Sequence, residues 1–201
     1  MKKTLERMRE NGLTVVELET AQQARDYLLD AIPAGTSVGV SGSVSVRQTG
    51  VLPALQEKGC EVFSHWDVPA EEVTATRKKA NLADVYLTSA NAVTRQGELV
   101  LIDGAGNRVA AVAYGPKRVF FVISRSKVVD GGYGAAVART KKVACPPNAR
   151  RQKRSTPCAL TGVCDPKACT DDCMCRITMV LDRVPRGREI TVLFVEETLG
   201  Y

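Results

Sequence analysis

Three short turns of small and polar residues carry the side chains best suited to chemistry. The first is Gly39-Val40-Ser41-Gly42-Ser43, the second runs from Ser89 to Thr94 through Asn91, and the third is Asp103-Gly104-Ala105-Gly106-Asn107. Each follows an apolar, strand-like run. Backbone N–H groups at a strand end or helix start are free to donate, and glycine lets an anion come close to them. Gly39, Ser41, Gly42, Ser43, Asn91, Gly104, Gly106 and Asn107 are therefore expected to bind a ligand. Asp103 has the chemistry of a general base or a hydroxyl acceptor, and the same carboxylate suits the cap of the segment after it. Asn91 is equally suited to ligand contact or to holding its own turn. Lys127 lies just beyond the apolar run Arg118 to Ser124, where a cation can pair with an anionic ligand, and is paired with Asp103 as the expected catalytic set. Lys117 reads as a surface residue. His65 is the only histidine and sits beside Trp66, so a histidine-based triad has no second support.

Cysteine is the second source of chemistry. Five of the seven crowd into Cys158-x5-Cys164-x4-Cys169-x3-Cys173-x-Cys175, while Cys60 and Cys145 stand apart. No CxxC pair occurs, so the spacings of zinc ribbons and ferredoxins are missing. Four thiolates from one loop can still close around zinc or an iron–sulfur cluster, and Cys158, Cys164, Cys169, Cys173 and Cys175 are the expected metal ligands. Thiol redox chemistry and simple packing are the other readings.

Strand-like and helical patterns alternate from the N-terminus to about residue 147. Strands are expected at Leu13–Leu18, Ser37–Val40, Cys60–Ser64, Asp84–Thr88, Glu98–Ile102 and Arg118–Ser124. Helices are expected at 1–11, 21–32, 44–58 (kinked or split by Gly50 and Pro53), 71–81 and 133–143, the last stopped by Cys145-Pro146-Pro147. This rhythm and the uniformly apolar strands predict an α/β fold, a mainly parallel sheet with helices on both faces. Ligands of such sheets bind beyond the carboxyl ends of the strands, where the three turns would meet. From residue 148 the chain becomes basic, then cysteine-rich, then strand-like again. The whole chain reads as one domain, with 148–201 as an appendage of cysteine-rich loop and C-terminal β-hairpin.

Composition narrows the classes. The formal charge is +6, and much of the excess lies between Arg139 and Arg154. That run suits an anionic partner or a solvated face. With only 5% aromatic residues, a nucleic-acid surface built on base stacking is not expected. No apolar run is long enough to span a bilayer, and Met1 to Gly12 reads as a polar helix, so a cytoplasmic location is expected.

Several separated stretches, in order, resemble one family. They are Thr88 to Val119 (TSANAVTRQGELVLIDGAGNRVAAVAYGPKRV), Ser126-Lys127-Val128-Val129, Ala144 to Arg151 (ACPPNARR), Thr156 to Cys164 (TPCALTGVC) and Glu197 to Tyr201 (ETLGY). Together they are similar to the lactate-utilisation (LUD) domain proteins over nearly the whole chain. The resemblance implies a fold like that of the sugar-phosphate isomerase and CoA-transferase group. Pentose isomerases of that group carry a Gly-Ser anion loop, an acidic elbow, a Gly-rich loop and a Ser-Lys pair, matched here by Gly39–Ser43, Ser89–Asn91, Asp103–Asn107 and Ser126-Lys127. Ser89 and Asn91 replace the acidic pair at the elbow. The resemblance further implies an accessory role in L-lactate oxidation beside iron–sulfur oxidoreductase subunits.

Two readings follow. In the first, the chain is a subunit or small enzyme of organic-acid utilisation that binds a small anionic metabolite, with a homo-oligomer as the expected assembly. In the second, the cysteine loop is the functional part, a metal-binding or redox-responsive module on an α/β platform.

Overall fold

The alternation of the sequence resolves into nine strands and nine α-helices. The computed structural model of the protein describes residues 1–201. Helix α1 (Lys2–Glu10) leads into β1 (Thr14–Leu18), α2 (Ala21–Ala31), β2 (Ser37–Val40), α3 (Val44–Gln48), α4 (Val51–Glu57), β3 (Glu61–Ser64), α5 (Val73–Leu82) and β4 (Val85–Thr88). The short strands β5 (Ala92–Val93) and β6 (Leu99–Asp103) follow, then α6 (Asn107–Tyr114), β7 (Arg118–Ser124), α7 (Tyr133–Arg139), α8 (Cys145–Arg151), α9 (Pro157–Thr161), β8 (Ile177–Leu181) and β9 (Glu189–Val195).

Six strands form one sheet in the order β1-β9-β7-β4-β2-β3, and every neighbouring pair is parallel. The side-chain alternation of a strand sends Tyr86, Phe121, Ile123, Val192 and Phe194 to one face, where they meet Leu5 and Met8 of α1, Ala80 of α5 and Val112 of α6. Val38, Val40, Leu87, Phe120 and Val122 point the other way and pack on Leu28 of α2, Val46 of α3 and Leu55 of α4. Both faces are covered, which is why these strands carry apolar residues at nearly every position. Local signals set the helix ends. Thr20 and Gln23 close a reciprocal capping box at the start of α2. Gly50, left-handed at φ +69°, separates α3 from α4, and Pro53 is accommodated in the first turn of α4.

A second sheet, β5-β6-β8, is antiparallel and packs on α7 through Ala92, Val100 and Ala136. Here the structure departs from the expected C-terminal hairpin. The two closing strands separate: β8 joins β6 in the small sheet, and β9 inserts between β1 and β7. Residues 192–195 (VLFV) of β9 are all apolar and buried, as suits a strand covered on both faces. The segment from residue 148 onward is thus no appendage, because it completes the main sheet.

The helix after Tyr133 also differs from expectation. It does not stop at Cys145-Pro146-Pro147. A π-helical stretch, Thr140–Ala144, carries it into α8, whose first turn holds both prolines. Proline costs little there, since first-turn N–H groups have no intrahelical partner.

Candidate functional site

A cavity of about 510 Å³ opens beyond the carboxyl ends of β2 and β4, beside the segments that follow β6 and β7. Its walls include Gly42 and Ser43 after β2, Ser89 to Asn91 after β4, Asp103 and Gly104 at the end of β6, and Lys127 after β7.

Lys127 is 4% exposed. Ser124 caps the single 3₁₀ turn that carries it, and the side chain reaches back under the elbow. Its Nζ donates to Ser45 Oγ (2.8 Å), Ser89 Oγ (2.9 Å) and Ala90 O (3.3 Å). Burial, reinforced by the neighbouring guanidinium groups of Arg139 and Arg108, lowers its pKa to about 7.

The elbow itself is held by three cations. The carbonyl of Ser89 accepts from Arg108 Nη1 (3.4 Å), that of Ala90 from Lys127, and that of Asn91 from Arg139 Nη1 (2.7 Å). Arg108 is buried and also donates through Nη2 to Asn91 Oδ1 (2.8 Å) and Ile102 O (2.5 Å). Asn91 Oδ1 further accepts from Ile102 N (2.9 Å), so this side chain fastens the elbow to β6.

Asp103 faces backbone donors. Oδ1 accepts from Ala105 N (3.2 Å), and Oδ2 accepts from Arg108 N (3.0 Å) and Val109 N (3.2 Å). Burial pushes its pKa up, but the Arg108 charge and these N–H groups outweigh that and hold it below the usual carboxylate range. It is an ionised anchor for the start of α6, where Gly106 takes the left-handed conformation at φ +84°. With its lone pairs engaged in this way, Asp103 is poorly placed to accept a substrate proton.

The glycine-rich turn after β2 divides by role. Gly42 and Ser43 line the cavity, and Ser43 Oγ caps α3 by accepting from Val46 N (3.3 Å). A Cβ on Gly42 would lie 2.7 Å from the Trp66 indole nitrogen, so glycine here makes room for Trp66. Ser41 turns away and its Oγ donates to Thr88 Oγ1 at 3.0 Å, tying β2 to β4. Gly39 lies within β2, and a Cβ there would overlap the backbone of Ala80 in α5. Gly39 and Ser41 are thus packing and tying residues and not cavity walls. Gly106 opens onto a neighbouring shallow depression with Arg77, Lys78 and Asn107, while Asn107 lines both that depression and the main cavity and Gly104 lines the main cavity.

Of the basic run of residues 139–154, Arg151 and Arg154 line this cavity. Arg151 stacks 3.9 Å over the Trp66 ring, with Arg47 on the same ring at 5.0 Å. Arg154 is paired with Asp172 at 2.7 Å. His65 is neutral: burial, and then the charges of Arg77, Arg151 and Arg47, push its pKa down to about 4 against a backbone hydrogen bond with Val40. Sequence reasoning had not singled out Arg77, Arg108, Arg151, Trp66 or Ser45. Arg108 was detectable in principle, since it follows the Gly-rich turn directly; the others depend on chain crossings that no local pattern encodes.

The five cysteines of the 158–175 segment lie near one another and near Cys145, close enough for their charges to interact. No three His, Cys, Asp or Glu side chains stand in a metal-holding arrangement. Cys158 is drawn into α9 and contacts Thr156 Oγ1 (3.3 Å). Cys175 turns instead to Cys145, with the two Sγ atoms 3.4 Å apart. The hydrogen bond between them lowers the pKa of Cys145 and raises that of Cys175, where burial adds to the rise. Cys145, Cys173 and Cys175 line the cavity; Cys158, Cys164 and Cys169 do not.

No helix is long and apolar enough to cross a membrane. No curated protein matches the sequence. Among solved structures the chain is similar to a DUF162 family protein from Deinococcus radiodurans, with a TM-score of 0.54 at 12% identity over 96% of this chain and 94% of that one. At that identity the likeness concerns the fold alone, and it agrees with the parallel sheet found here. The family model for the LUD domain matches residues 1–195, so the chain belongs to the LUD-domain family.

Proposed function

We propose that the chain serves organic-acid utilisation, with L-lactate metabolism as its setting, and that it binds a small anionic metabolite in the cavity at the strand ends. Membership of the LUD-domain family supports the setting. One observation carries the ligand class. Lys127, Arg108 and Arg139 converge on three successive carbonyls of the elbow, and the carboxylate of Asp103 is already engaged by backbone N–H groups. Arg77, Arg151 and Arg176 add positive charge to the walls. Such a field, set among strand ends, favours a carboxylate or a phosphate.

Lys127 is the group suited to move a proton. With a pKa of about 7 it is present as both ammonium and amine near neutrality, and Ser45 and Ser89 hold it in place. Iron–sulfur oxidoreductase subunits are the proposed partners, with the electron transfer lying in them.

Calorimetric titration with L-lactate, pyruvate, sugar phosphates and CoA esters tests the reading. One of these is expected to bind, and Arg151→Ala is expected to weaken it about tenfold, the loss of about 1.4 kcal/mol from one charge-assisted contact. Absence of binding by all four classes, or binding unchanged in both Arg151→Ala and Arg77→Ala, rejects the anion site.

A further inference from the structure

Cys145 and Cys175 come from different parts of the fold. Cys145 opens α8 directly after the π-helical stretch and is 8% exposed. Cys175 lies on the approach to β8, where Arg176 N donates to Asp103 O (3.0 Å) and the Met174 backbone rests against Gly104. Cys145 is thus set by a helix, and Cys175 by an irregular segment anchored to the end of β6. Their Sγ atoms are 3.4 Å apart, and both residues line the cavity. We infer that Cys145 and Cys175 are a dithiol–disulfide couple built into the cavity wall. The inference does not rest on the anion reading.

The bond needs the sulfurs to approach by about 1.4 Å to reach the usual S–S length, which small side-chain rotations supply. The oxidant is a low-molecular-weight disulfide. One protein thiol gives up its proton and attacks a sulfur of that disulfide, forming a mixed disulfide and expelling one small thiolate. The second protein thiol gives up its proton, attacks the protein-side sulfur and expels the other. Two protein thiols are oxidised by two electrons, one S–S bond forms, and two small thiols leave. Because α8 also carries Arg151, and Cys175 precedes Arg176, closing the bond ties two cationic walls of the cavity together. Cys173 Sγ, which accepts from Cys175 N at 3.3 Å, sits next to the pair and is the alternative partner that the test must distinguish.

The full chain, purified without oxygen, is equilibrated in glutathione buffers of graded potential, quenched in acid, alkylated and mapped by peptide mass spectrometry. The expected result is one two-electron transition that removes two alkylatable thiols and yields a Cys145–Cys175 cross-linked peptide. A change in Trp66 emission accompanies it, since Trp66 lines the same cavity. C145S and the less buried C175S are each expected to lose the cross-link and the emission change; circular dichroism on C175S confirms that its fold is retained. The inference is overturned if Cys145 stays alkylatable while the 158–175 cysteines pair among themselves, or if Cys145 pairs with Cys173. It is also overturned if stoichiometric metal in the anaerobic protein protects these thiols.

Discussion

The ammonium of Lys127 stands 2.8 Å from the hydroxyl of Ser45, a residue 82 positions earlier in the chain. That contact joins the end of β7 to the first turn of α3 across the mouth of the sheet. It also places a basic group where water is scarce, with a measurable effect on stability. The folded pKa of about 7 is below the ordinary 10.5, so between these values the unfolded chain binds more protons than the folded one. Stability therefore rises with pH through this window, and the full cost of the buried charge is felt below it. The slope contributed by this one group approaches about 1.4 kcal/mol per pH unit. Lys127→Met is expected to remove it. Urea unfolding of both proteins at several pH values across the window is the measurement, and parallel profiles would refute the assignment.

Gly39→Ala is expected to destabilise the fold by about 2–3 kcal/mol. The new methyl group would press on the backbone of Ala80, which has no side-chain freedom with which to yield. Thermal unfolding measures the loss. Ligand binding in whatever fraction remains folded should be unchanged, because Gly39 is packed between strand and helix, away from the cavity.

Asp103→Ala is expected to cost about 2–4 kcal/mol, since it strips an N-terminal cap, leaves buried N–H groups without their acceptor and removes the counter-charge of Arg108. Asp103→Asn keeps part of the cap and is expected to lose less. If Asp103 anchors α6, ligand affinity in Asp103→Asn follows its stability. A protein as stable as wild type that had lost all turnover would instead make Asp103 a base.

His65 is expected to titrate near pH 4 by proton NMR. Its folded pKa lies below the ordinary imidazole value of 6.5, so the unfolded chain takes up this proton first as pH falls. Its contribution is stability that is lost progressively from about pH 6.5 downward to about 4, and His65→Gln should flatten that part of the acid limb. A midpoint near the ordinary imidazole value would show that the ring is solvated.

The parallel sheet was legible because its strands are apolar on both faces, and Arg118–Ser124 coincides with β7 residue for residue. The turns at Gly42, Asn91, Asp103 and Lys127 could be placed at strand ends by the same logic, and they share one cavity. Gly39 misled because a glycine that admits a ligand and one that admits a helix look the same in sequence; only the proximity of Ala80 separates them. The helix end at Cys145 misled because proline in a first turn and proline as a breaker are told apart only by whether a helix already precedes it. Cys145 looks solitary in the sequence because its neighbour Cys175 lies 30 residues on, beyond any local spacing rule.

Thr14 pairs with Thr191, and β1 has no other neighbour in its sheet. During synthesis the ribosome therefore releases a strand that must remain unpaired until β9 emerges, and β9 must then enter between β1 and β7 in parallel with both. Closure of so distant a pairing is slow compared with helix formation. Between the emergence of β7 and that of β9 the nascent chain consequently carries an unfilled slot beside β7, which is where a chaperone would be most useful and where misassembly would begin.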